Sequence, residues 1–148
     1  MSESTELKHI VLYADDDQDD LEFVQDAFQQ YATNVEVLCF TDGVKALDYL
    51  QLHSSPDDMP CLVILDVNMP VMTGKEVLVQ LRQQEDFDDL RVVLFTTSSQ
   101  PLDKAFAEEY DAGFVTKPLD VKQMGTVIKQ FINHCSEDVR YQIEKQFQ

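Results

Sequence analysis

Apolar and polar positions along this chain follow two periods, and the switches between them mark strand and helix in regular succession. Ile10-Val11-Leu12-Tyr13-Ala14 is a short continuous apolar run halted by Asp15-Asp16-Asp17, after which Leu21, Val24, Ala27 and Phe28 recur at helical spacing. Val35 to Phe40 reads as a second strand. Thr41-Asp42-Gly43 supplies turn chemistry, and Val44, Leu47 and Leu50 mark a second helix that Ser54-Ser55-Pro56-Asp57-Asp58 breaks. The most apolar run, Cys61-Leu62-Val63-Ile64-Leu65, ends on the carboxylate of Asp66, and Gly74 precedes a helix carrying Val77, Leu78 and Leu81. Val92-Val93-Leu94-Phe95 is a fourth strand that exits into Thr96-Thr97-Ser98-Ser99. Pro101 suits the first turn of a fourth helix, with Leu102, Ala105 and Phe106 facing the sheet. Gly113 to Thr116 is a brief fifth strand followed by Lys117-Pro118. Asp120 and Gln123 then stand at capping-box spacing before Met124, Val127, Ile128, Phe131 and Ile132, the cleanest amphipathic stripe in the chain.

Five strands alternating with five helices, the strands nearly all apolar, predict an α/β fold: a parallel five-stranded sheet covered on both faces, with right-handed crossovers. The expected architecture is the flavodoxin-like doubly wound order 2-1-3-4-5, in which strands one and three are neighbours and ligands bind outside their carboxyl ends. Asp15, Asp16 and Asp66 would meet there, with Thr96 and Lys117 on the same rim. Residues 1–7 form a polar leader and 8–134 the domain. Residues 135–148 are a helical extension or tail. In that segment Ser136 is a candidate cap and Val139, Ile143 and Phe147 lie on one side, a stripe that suits packing or self-association as well as a fraying end.

Composition narrows the function. The chain has 148 residues, enough for one domain with a continuous core but not for a second, output domain. Its 11 Lys and Arg against 28 Asp and Glu give a net charge of −17, a field that repels phosphate backbones and anionic membranes and attracts divalent cations. Direct nucleic-acid and membrane binding are therefore not expected. Cys39, Cys61 and Cys135 lack CxxC spacing and read as buried reduced thiols. His9, His53 and His134 share no metal-ligand spacing. The start lacks the basic and apolar regions of a signal peptide, and no apolar run approaches the ~20 residues of a bilayer span, so a cytoplasmic location is expected.

One Asp after a strand is most often the start of a loop, and one Thr or Lys at a strand exit is ordinary. Four exits delivering Asp, Asp, Thr and Lys to one rim form a more specific pattern. Two carboxylates ~4 Å apart repel by roughly 4 kcal/mol at an effective dielectric of ~20, so cations must compensate. Lys117 brings one charge, and a hard divalent ion with oxygen ligands, Mg²⁺ or Mn²⁺, brings two. A carboxylate beside such cations suits attack on a phosphoryl group, giving an acyl phosphate on Asp66, with Thr96 and Lys117 able to bond phosphoryl oxygens.

Asp15-Asp16, Leu65-Asp66-Val67-Asn68-Met69-Pro70 with Gly74, Thr96, and Lys117-Pro118 together resemble the signature of the receiver domain of two-component response regulators, from about Lys8 to His134. The resemblance implies that Asp66 is the phosphoacceptor and takes its phosphoryl group from a sensor histidine kinase or a histidine phosphotransfer protein. It further implies Mg²⁺ held by Asp16 and Asp66, by the Asn68 backbone carbonyl, and by Asp15 through water. Lys117 would contact the phosphoryl group, across a Lys117–Pro118 bond that the family usually holds cis. Thr96 and the aromatic at Phe114 would switch the face formed by the fourth helix, fifth strand and fifth helix, altering the docking of a downstream protein or of a second copy of the chain. Phe114 stands where the family often has Tyr, so a phenolic hydroxyl plays no part. Asn68 and Ser98 occupy positions that tune phosphate lifetime.

Two other readings compete with a terminal switch. In a phosphorelay, Asp66 would pass its phosphate to a histidine phosphotransfer protein. An enzyme reading, a Mg²⁺-dependent aspartyl-nucleophile phosphatase similar to the haloacid dehalogenase family, requires an acidic residue two places after the nucleophile. Asn68 occupies that place and cannot serve as the general acid. A signalling switch with self-phosphorylation and slow self-hydrolysis is expected rather than a turnover enzyme.

Overall fold

The computed structural model describes residues 8–32, 34–97 and 100–145. Five strands, β1 (His9–Ala14), β2 (Val35–Phe40), β3 (Leu62–Asp66), β4 (Val92–Thr96) and β5 (Gly113–Thr116), form one parallel sheet in the order β2-β1-β3-β4-β5. Between and after them run α1 (Gln18–Tyr31), α2 (Gly43–Leu52), α3 (Gly74–Arg82), α4 (Pro101–Glu109), α5 (Met124–Asn133) and α6 (Glu137–Glu144). The expected doubly wound order is the observed one, with a sixth helix where the sequence allowed either an extension or a tail.

The strands' period of two divides the core into two layers. Val11, Tyr13, Leu62, Ile64, Val93 and Phe95 point to one face and pack against α1, α5 and α6. Leu12, Ala14, Val63, Leu65, Val92 and Leu94 point to the other and meet α2, α3 and α4. All five residues of the α5 stripe are buried, and Phe131 sits edge-on to Phe95 at 4.9 Å between ring centroids. The last helix is held by Ser136, whose hydroxyl accepts from the Val139 amide, and by Ile143, which is fully buried. Asn34 donates its side-chain amide to the Gln142 carbonyl at 3.2 Å, tying α6 to the foot of β2. Phe147, the last residue of the predicted stripe, lies outside the described residues.

Three local expectations are corrected. In α4 the buried residues are Asp103 and Ala107, while Leu102 is 78% exposed and Ala105 is also exposed. The inward face is set one residue later because Lys75 of α3 pairs with Asp103 and places its ammonium over the Phe106 ring, so Leu102 turns to solvent. Asp120 caps a separate 3₁₀ turn, Val121–Gln123, accepting from the Lys122 amide, and α5 begins at Met124 without a side-chain cap. The Lys117–Pro118 bond, expected cis, is trans, the isomer that X–Pro bonds favour by about 0.5–1 kcal/mol when nothing local imposes the other.

The three cysteines are free, as expected, but of them Cys135 alone is buried, Cys39 and Cys61 being half-buried. The side chains of Cys61 and Cys135 meet where the entry to β3 lies beside the end of α5, and this contact first, with burial second, pushes the Cys61 thiol far up.

Candidate functional site

The sheet's carboxyl edge gathers the predicted residues because each lies at or just beyond the last residue of its strand. Asp15 follows β1, Asp66 ends β3, Thr96 ends β4 and Lys117 follows β5. Parallel pairing puts these exits side by side, with Asp66 opposite Phe95 and Thr96 opposite Thr116. The Lys117 amide donates to the Thr96 carbonyl at 2.7 Å, fixing the fifth exit to the fourth. Asp15 and Thr96 are fully buried, Asp66 is 5% exposed, and Asp16 is exposed.

The acidic turn after β1 divides its labour. Asp17 is the N-cap of α1, accepting from the amides of Asp19 and Asp20, and its own amide donates to Asp15 at 2.9 Å. Asp15 is held on its other oxygen by the Tyr13 hydroxyl at 2.5 Å and by Lys117 at 2.8 Å. Asp16 faces outward between them. One oxygen each of Asp15, Asp16 and Asp66 lies within 4.8 Å of the others, and among the described residues this is the group that could hold a metal ion. All-oxygen, multiply charged ligand sets fit a hard divalent cation.

Lys117 lies among three carboxylates. Its ammonium is 2.8 Å from Asp15, 2.8 Å from Asp20 and 3.5 Å from Asp66, above the Phe95 ring at 5.6 Å from the centroid. Burial alone would lower its pKa, but the hydrogen bonds to Asp15 and Asp20 outweigh that and hold the ammonium protonated above the usual lysine range. Asp66 moves the other way. Burial first, and repulsion from Asp15 second, raise its carboxyl to about 7 against the pull of Lys117. The same field, with burial leading, drives the Tyr13 hydroxyl far above its ordinary value, so it stays a donor. A cation placed among these carboxylates would offset their repulsion and favour the ionised form of Asp66.

The loop after β3 completes the rim. The Asn68 amide donates to Asp66 at 3.4 Å while its side chain is exposed. Thr73 caps α3 in a full capping box with Glu76, and Gly74 lies so close beneath Asp66 that a Cβ there would meet the Asp66 carbonyl oxygen at 2.3 Å. Phe114 is partly buried on β5, in the layer shared with α4. Ser98 lies outside the described residues. Sequence reasoning missed Asp20 and Tyr13. Helical spacing from the acidic turn was the available signal for Asp20, since the first turn of α1 returns its side chain to the site.

Residues 11–129 match the response regulator receiver domain family. Response regulator Rcp1 of Synechocystis is 26% identical over 132 residues, covering 87% of this chain and 90% of that protein. The probable methanogenesis regulatory protein FilR2 of Methanothrix harundinacea is 30% identical over 128 residues, with 82% of each chain covered. Among solved structures, the Mn(2+)-bound form of response regulator Rcp1 superposes with a TM-score of 0.72 at 26% identity, covering 82% of this chain and 90% of that one. With the parallel 2-1-3-4-5 sheet, the carboxylate cluster at its edge and the family match over most of its length, this chain belongs to the response regulator receiver domains of two-component signalling.

Proposed function

We propose that Asp66 is the phosphoacceptor of a receiver that takes a phosphoryl group from a phosphohistidine and changes how a partner protein docks. The observation that carries this reading is the convergence of Lys117 and the carboxylates of Asp15 and Asp16 on one nearly buried acceptor, Asp66, at the sheet edge. Asp15, Asp16 and Asp66, with the Asn68 carbonyl, would hold Mg²⁺ or Mn²⁺, which when bound supplies the charge that ionises Asp66 and neutralises phosphoryl oxygens. An Asp66 oxygen attacks phosphorus as the P–N bond of the phosphohistidine breaks, and the imidazole leaves with the electron pair. Lys117 and the Thr96 hydroxyl bond the transferred oxygens.

The readout is local charge converted to surface. Thr96 is fully buried beside the site, and Phe114 shares the layer of α4, so drawing the hydroxyl toward a phosphoryl oxygen opens space for the ring to turn inward. Leu102 on α4, with Leu119 and Val121 on the link from β5 to α5, are exposed apolar side chains that suit a protein partner. Asn68 disfavours the phosphatase reading, since its amide cannot protonate a leaving group. Incubation with Mg²⁺ and acetyl phosphate, followed by intact-mass analysis, should add one phosphoryl group. Labelling that is absent, or that persists in Asp66→Asn, refutes the assignment. Return of the label to a partner histidine identifies a relay, whereas phosphate-dependent binding to a protein without such a histidine identifies a terminal switch.

A further inference from the structure

Asp20 is a fourth carboxylate at this edge, and it stands outside the three-oxygen group that could hold a cation. It belongs to the first turn of α1, where its backbone amide donates to the Asp17 cap at 3.3 Å, and its side chain is 27% exposed at the mouth of the site. Its partner is the Lys117 ammonium, at the same 2.8 Å that separates Lys117 from Asp15. An ammonium has three donors. With two directed at Asp15 and Asp20, the third is left for Asp66, whose nearer oxygen lies 3.5 Å away.

The two anchors are not equivalent. Asp15 is already shared: one oxygen takes the Asp17 amide and the other takes both the Tyr13 hydroxyl and Lys117. Asp15 is also one of the oxygens that would face a cation. A demand on Asp15 weakens its hold on Lys117, whereas Asp20 is free of that competition and reaches Lys117 from a different element. We infer that Asp20 is a positioning residue for phosphoryl transfer: it holds the Lys117 ammonium from the α1 side so that its remaining donor faces the oxygens arriving on Asp66. This inference rests on Asp66 being the acceptor. It adds that helix α1, through one side chain, sets the geometry of a lysine carried by the loop after β5.

The test uses the full chain with acetyl phosphate at saturating Mg²⁺, reading labelling rates by intact mass. Wild type labelled and Asp66→Asn unlabelled check the underlying reading. Asp20→Ala should then label about tenfold more slowly, the size of one charge-assisted hydrogen bond expressed in the transition state. Asp20→Asn, which keeps the size and an acceptor oxygen, should lose less. In a Lys117→Met background, adding Asp20→Ala should change the rate no further, an epistasis that a purely structural role would not produce. A metal-free readout stands apart from activity: the ¹H–¹⁵N signal of the Lys117 ammonium, protected from exchange in wild type, should broaden away in Asp20→Ala. Labelling of Asp20→Ala at or above the wild-type rate, equal slowing with and without Lys117, or an unchanged ammonium signal would each overturn the inference.

Discussion

Replacing Asp66 by Asn should make the metal-free protein more stable at neutral pH, although it removes the proposed phosphoacceptor. Asp66 is 5% exposed, and burial with repulsion from Asp15 raises its carboxyl from 3.8 to about 7. A raised carboxyl pKa in the folded state means that folding works against the charge. The penalty is complete above the folded value, shrinks as pH falls through it, and vanishes near the unfolded value. At about 1.36 kcal/mol per pH unit, the displacement from 3.8 to about 7 amounts to roughly 4 kcal/mol. Asn is nearly isosteric, so no cavity opens, and Lys117 keeps its 2.8 Å bonds to Asp15 and Asp20. Urea unfolding in EDTA at pH 8 should therefore show the Asp66→Asn midpoint about 1–4 M above wild type, given slopes of roughly 1–3 kcal/mol per M. The gap should narrow below pH 7 and close near pH 4. Mg²⁺ should narrow it from the other side, since wild type gains more from a cation bound to the native state. A variant that is less stable than wild type at pH 8 in EDTA, or a gap independent of pH, would refute the electrostatic account.

Two further outcomes follow from packing. Gly74→Ala puts a methyl 2.3 Å from the Asp66 carbonyl oxygen and 2.9 Å from its carbon, backbone atoms that cannot rotate away, so α3 must shift. Overpacking of this kind costs about 1–3 kcal/mol, and thermal melting should fall by about 2–4 °C per kcal/mol with phosphoryl labelling slowed in parallel; an unchanged melt refutes the contact. Ile143→Ala should cost about 2–4 kcal/mol in urea unfolding if α6 is part of the core, as the full burial of Ile143 indicates. A loss under about 0.5 kcal/mol would make α6 a passenger.

The sequence by itself determined the sheet, its order and which residues gather at its carboxyl edge, because each signal was local or followed from topology. A buried parallel strand is read from an apolar run, and a doubly wound order brings successive strand exits together whatever lies between. Asp15, Asp66, Thr96 and Lys117 could thus be assigned to one rim from their places after the strands. What only the tertiary structure decided were relations between elements that periodicity leaves open. The face that α4 turns inward depends on Lys75 reaching Asp103 from another helix, and the Cys61–Cys135 contact on where α5 ends beside β3. Asp20 belongs with these. In the sequence it is one acid among 28, and only the tertiary fold, which brings the first turn of α1 to Lys117, gives it that partner. Period and composition report what a segment must bury, whereas partner choice for a charge is settled in three dimensions by which opposite charge lies within reach.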